Sequence, residues 1–135
     1  MNRITLTKPD DWHLHLRDGE AMKSVVGMSA KQMGRAIIMP NLSPPIINAV
    51  QAQDYYERII DSLPKETIFK PLMVLYLTDE TSENEMLEAS KTPEVYAAKL
   101  YPAGATTNSS NGVTNIRKIY SALEIMQREM IPLLI

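Results

Sequence analysis

Short apolar runs alternate with longer amphipathic stretches along the whole chain, and this alternation restricts the fold more than any other feature. Residues 36–39 (AIIM) form a continuous apolar run, the mark of a strand buried on both faces, which Pro40 and the Pro44-Pro45 pair terminate. Residues 69–77 and 95–101 have the same character, and residues 132–135 (PLLI) begin one more strand. Residues 3–7, with Ile4 and Leu6 set against polar neighbours, also read as a strand, followed by an extended piece over 11–16. Between these runs lie helical patterns. Residues 20–33 carry Met22, Val25, Val26 and 28–30 at near-helical spacing. Asn48 is an N-cap for a helix passing through Gln53, Tyr56 and Ile60 to Pro64. Ser82 with Glu85 makes a capping box for a helix that carries Met86, Leu87 and Ala89 and stops near Pro93. Residues 115–130 place Ile116, Ile119, Tyr120, Leu123 and Met126 on one face.

Strands alternating with helices imply βαβ units and a parallel sheet: here about four β/α units plus a fifth strand. A doubly wound sheet is one way to assemble them, but neither G-x-G-x-x-G nor G-x-x-x-x-G-K-[ST] occurs, so the usual nucleotide cradles are missing. The other is the first half of a (β/α)8 barrel, a fold that normally takes roughly 250 residues. On that reading residues 1–135 form a partial barrel domain whose C-terminal half is absent, with two sheet edges unpaired.

At 135 residues a single hydrophobic core is expected, and 44% apolar with 22% charged residues fits a globular domain. A net charge of -2 offers no basic stripe for phosphates, so no nucleic-acid partner is expected. No run of 18 apolar residues and no leader-like N-terminus occurs, so we expect no membrane association and a cytoplasmic location. Cysteine is absent, which removes disulfides, thiolate ligands and Cys nucleophiles together.

Chemistry concentrates in few places. The two histidines, His13 and His15, lie two residues apart, so a strand presents both imidazoles on one face while Leu14 and Leu16 pack on the other. Such a pair can ligate zinc, although isolated pairs are more often surface or satisfied core histidines. Lys99 alternates with Val95, Ala97 and Tyr101, opposite Tyr96, Ala98 and Leu100. It is either a lysine snorkelling at a strand end or an amine of lowered pKa that reacts with carbon dioxide to give a metal-bridging carbamate. Asn41 follows the AIIM strand, where barrels gather binding residues, and is equally suited to a turn. Arg17 is a carboxylate clamp or a surface partner of Asp18. Thr106 and Thr107, in the polar loop 103–112, offer hydroxyls to a ligand or simply to solvent.

Taken together, Asp11-Trp12-His13-Leu14-His15-Leu16-Arg17, Met39-Pro40-Asn41, Ala98-Lys99-Leu100-Tyr101-Pro102 and residues 105–110 (ATTNSS) resemble the dihydroorotases of the bacterial single-function type, members of the amidohydrolase superfamily. The resemblance implies a (β/α)8 barrel with two zinc ions that interconverts N-carbamoyl-L-aspartate and L-dihydroorotate in pyrimidine biosynthesis, as a homodimer. It implies that His13 and His15 hold the more buried zinc and that carbamylated Lys99 bridges both. Arg17 and Asn41 would bind the substrate carboxylate, and Thr106 and Thr107 would tip a loop that closes over it. Two further histidine ligands and a proton-shuttling aspartate have no counterpart in residues 1–135, so these residues alone are expected to be inactive. A hydantoinase or allantoinase would share the histidine pair and lysine, but the Met-Pro-Asn and Ala-Thr-Thr-Asn-Ser-Ser runs favour dihydroorotase. A non-catalytic fragment or interaction subunit is the remaining alternative, against which the retention of His13, His15 and Lys99 argues.

Overall fold

A computed structural model describes residues 2–135. Strands and helices alternate: β1 (Asp10–Leu14), α1 (Gly19–Gln32), β2 (Arg35–Ile38), α2 (Ala49–Asp61), β3 (Lys70–Leu77), α3 (Glu83–Lys91), β4 (Val95–Leu100), a 3-10 turn (Ile116–Ile119) running into α4 (Tyr120–Arg128), and β5 (Leu133–Leu134). The five strands form one sheet in the order β1-β2-β3-β4-β5, and every neighbouring pair is parallel. That order decides between the two assemblies left open by the sequence. A doubly wound sheet reverses its strand order at a switch point, whereas here the order simply advances, as in half of a (β/α)8 barrel.

Alternation along the strands divides the apolar residues between two cores. Ile37, Met39, Leu72, Val74 and Ala97 pack together on the face turned to the barrel interior. Ala36, Ile38, Met73, Leu75, Leu77 and Ala98 point the other way, against the helices. Both faces are therefore buried, which is why these strands read as continuous apolar runs. Leu75, Leu77, Ile59 and Met86 are fully buried in the larger core, and each contributes roughly 1.5–3 kcal/mol through its removal from water.

The helix ends follow their caps. The Asn48 side chain accepts from the Gln51 N–H at the start of α2, and Ser82 and Glu85 close a reciprocal capping box on α3.

Three expectations need correction. Residues 3–7 form no strand: Ile4 and Leu6 are 82% and 81% exposed, because β1 begins opposite β2 only at Asp10, paired with Arg35, and nothing lies beside the earlier residues to complete a ladder. In α1, Met22, Val26 and Ala30 are buried at a strict four-residue spacing, while Val25 and Met28 face outward. Before α4 the backbone is wound as a 3-10 turn, three residues per turn, which shifts the phase of the apolar stripe. Ile119, Ala122, Ile125 and Met126 are buried there, and Ile116 and Tyr120 are left exposed.

Candidate active site

Because the strands are parallel, their carboxyl ends share one rim, and the singled-out residues gather there. His13 lies in β1 and His15 just past its last residue. Their Nε2 atoms stand 3.2 Å apart, with ring centroids 5.0 Å apart and planes inclined by 51°. At a tetrahedral zinc with Zn–N bonds of about 2.05 Å, two ligand nitrogens are separated by about 3.3 Å, so the spacing of the pair matches such an ion. Burial holds His15 below the usual imidazole range, and the charges of Arg17, His13 and Lys99 act in the same direction, with Asn41 opposing. His15 is thus biased towards the neutral ring that metal ligation requires. No cluster of three or more His, Asp or Glu placed to hold a metal occurs among the described residues.

Lys99, near the end of β4, is 6% exposed and sits in register between Tyr76 of β3 and Leu134 of β5. Its Nζ lies 5.3 Å from the centre of the Tyr101 ring, which stacks on Tyr76 at 5.0 Å. Burial pushes the amine below the usual lysine range, and no acidic partner among the described residues counters it. A neutral amine is the form that adds to carbon dioxide.

Asn41 follows β2 and is buried. Its Nδ2 donates to the Thr107 carbonyl at 3.0 Å, and Asn108 Nδ2 donates back to the Asn41 carbonyl at 3.0 Å. The Tyr76 hydroxyl donates to the Asn108 carbonyl at 3.2 Å, and Ser109 Oγ closes the loop on itself through the Thr106 carbonyl and N–H. The loop therefore lies down on the rim, with the Thr106 and Thr107 side chains exposed. Asn41 Oδ1 is buried and faces the His15 ring, close enough to favour its protonated form but outside hydrogen-bond geometry with any described residue. An unspent acceptor at this depth is costly unless something else meets it.

A cleft of about 370 Å³ opens beside the rim, lined by Arg17, Arg58, Asp54, Gln51 and Asn108 and by the proline turn after β2. Arg17 lines this cleft, and its charge also acts on His15 and Tyr101.

No family model matches the chain. Individual proteins do. A dihydroorotase of Delftia acidovorans is 58% identical over 134 residues, 99% of this chain and 38% of that protein. One from Cupriavidus necator is 56% identical over 133 residues, 98% of this chain and 39% of that protein. The chain is homologous to the dihydroorotases. Solved structures agree. The dihydroorotase of Campylobacter jejuni superposes with a TM-score of 0.84 at 39% identity, over 93% of this chain and 37% of its own length. That of Saccharomyces cerevisiae, in complex with 5-fluoroorotic acid, also gives 0.84, at 31% identity over 93% of this chain and 34% of its own. This dihydroorotase homologue thus spans a little over a third of the length of its relatives.

Within the homologue, the structure brings His13, His15, Arg17, Asn41 and Lys99 to one rim and sets Thr106 and Thr107 above it. It adds residues that the sequence did not single out: Tyr76, Tyr101 and Asn108. Tyr101 shares the alternation phase of Lys99 and Tyr76 that of Val74, so period two places both on the inner face. Asn108 carries no comparable signal, because its partner is 67 residues away.

Proposed function

We propose that these residues are part of a zinc-dependent dihydroorotase that interconverts N-carbamoyl-L-aspartate and L-dihydroorotate in pyrimidine biosynthesis. The observation that carries this reading is the 3.2 Å histidine pair sharing a rim with a buried, unpaired lysine, in a chain 58% identical to a dihydroorotase. That identity favours dihydroorotase over hydantoinase or allantoinase. The donor set fits metal: His13 and His15 would hold the more buried zinc, and Lys99, as a carbamate, would bridge it to a second. Bound zinc supplies activation of water and polarisation of the ring amide carbonyl.

The remaining work falls to the chain. The Lys99 amine attacks carbon dioxide, forming an N–C bond and releasing one proton, and so becomes an anionic two-oxygen ligand. Arg17 takes the substrate carboxylate through paired N–H bonds, and Asn41 joins it there by turning its Nδ2 from the Thr107 carbonyl to the anion, since Oδ1 can only accept. Thr106 and Thr107 cover it and exclude water. The yeast relative's ligand, 5-fluoroorotic acid, is a carboxylated pyrimidine and matches the chemistry of such a clamp. The proton-shuttling aspartate and the other histidine ligands that the resemblance implies have no counterpart among these residues. By its resemblance to the family, the complete protein would be a cytoplasmic homodimer. No helix among the described residues is long and apolar enough to cross a membrane.

The test is zinc content and dihydroorotate ring opening for the protein made from its complete reading frame, with and without Lys99→Ala. Loss of both zinc and turnover in the variant is expected. Wild-type zinc content and rate in Lys99→Ala would overturn the bridging role.

A further inference from the structure

Arg17 is not a glycine, yet its φ is +62°, in the left-handed region that a side chain bearing Cβ enters at a cost. Two contacts from one turn of α2 hold it there. The Tyr55 hydroxyl, on a fully buried ring, donates to the Arg17 carbonyl at 2.5 Å. Arg58, three residues further on, grips the next residue: its Nε and a terminal nitrogen donate to the two oxygens of Asp18 at 3.1 and 2.8 Å. Asp18 also caps α1 through the Gly19 N–H. The Arg58 guanidinium lies 5.3 Å from the Tyr55 ring centre, so the two act as one unit. A different backbone conformation at residue 17 would re-aim its side chain relative to the cleft that it lines.

We propose that Tyr55 and Arg58 are positioning residues for substrate binding: they lock the left-handed backbone at residue 17 so that the Arg17 guanidinium faces the carboxylate subsite. Neither need touch the substrate's reacting atoms. The inference rests on the reading of Arg17 as the carboxylate clamp. A buried tyrosine could be retained for packing alone, and the two roles separate experimentally. Tyr55→Phe keeps the ring and removes only the hydroxyl. Arg58→Lys keeps the charge but loses the two-pronged grip on Asp18.

In the complete, zinc-loaded enzyme, KM for N-carbamoyl-L-aspartate should rise roughly fivefold in Tyr55→Phe, the equivalent of one hydrogen bond, with kcat little changed. Arg58→Lys should move KM in the same direction. In an Arg17→Ala background, where no guanidinium remains to be aimed, neither substitution should alter KM further. A Tyr55→Phe enzyme with unchanged KM, or with the same rise in both backgrounds, would overturn the positioning role. An Arg17→Ala enzyme with unchanged KM would instead overturn the clamp itself, and with it this inference.

Discussion

Asn41 and Thr107, 66 residues apart in the chain, are joined by a hydrogen bond of 3.0 Å from the Asn41 amide to the Thr107 carbonyl. One end of that amide holds the loop down, and the other, Oδ1, is left free beside His15. A single side chain thereby links loop position to the site.

Replacing Asn41 with Ala should therefore loosen the loop as well as weaken binding. Losing one hydrogen bond predicts amide exchange over residues 106–109 that is roughly two- to tenfold faster, with β3 unaffected. Hydrogen-exchange mass spectrometry on the variant checks this, and unchanged loop protection would show that Asn41 does not tether it.

His13 is exposed, so His13→Asn should leave the melting temperature of the metal-free protein almost unaltered. Zinc affinity should fall far more. Loss of an outer-sphere partner alone costs about 10–100-fold, and loss of a ligand should cost at least as much. Competitive zinc titration against a chelator measures the difference. Undiminished affinity would remove His13 from the ligand set.

Asp79 connects the turn after β3 to the segment leaving the loop. It accepts from Lys118 Nζ at 2.7 Å and from the Thr114 hydroxyl and N–H at 2.6 and 2.8 Å. Lys118 first, then Thr114, holds its carboxyl well below the usual range. A carboxylate with a depressed folded pKa stabilises the fold above the unfolded value of about 3.9 and loses that contribution as pH falls towards the folded one. Asp79→Asn should thus melt below wild type at neutral pH, with the gap narrowing under acid. A gap that persists unchanged at the lowest pH tolerated would count against the ionic contribution.

Gly112 is required by close approach. A Cβ there would meet the Tyr101 carbonyl oxygen at 2.2 Å and that of Ser109 at 3.0 Å, and neither is a flexible side-chain end. Gly112→Ala should cost roughly 1–3 kcal/mol through overpacking and should disturb Tyr101 beside Lys99. Urea unfolding of wild type and variant gives the first quantity. A midpoint equal to wild type would mean that the loop yields easily.

The sequence by itself determined the features set by neighbours in the chain. Period-two alternation put Lys99 and the histidine pair each on one strand face, and the caps at Asn48 and Ser82 started their helices where the residues indicate. The order of strands, the rim they share and the contacts across it were decided only by the tertiary structure. Asn41 meets Thr107, and Tyr55 meets Arg17, because sheet register and helix packing bring together residues 66 and 38 positions apart. The same limit explains residues 3–7, whose alternation is genuine but finds no neighbouring strand, and α4, whose buried face was reset by the preceding 3-10 turn. Local patterns fix which way a side chain points along its own element. What it then meets depends on which other elements the fold places opposite.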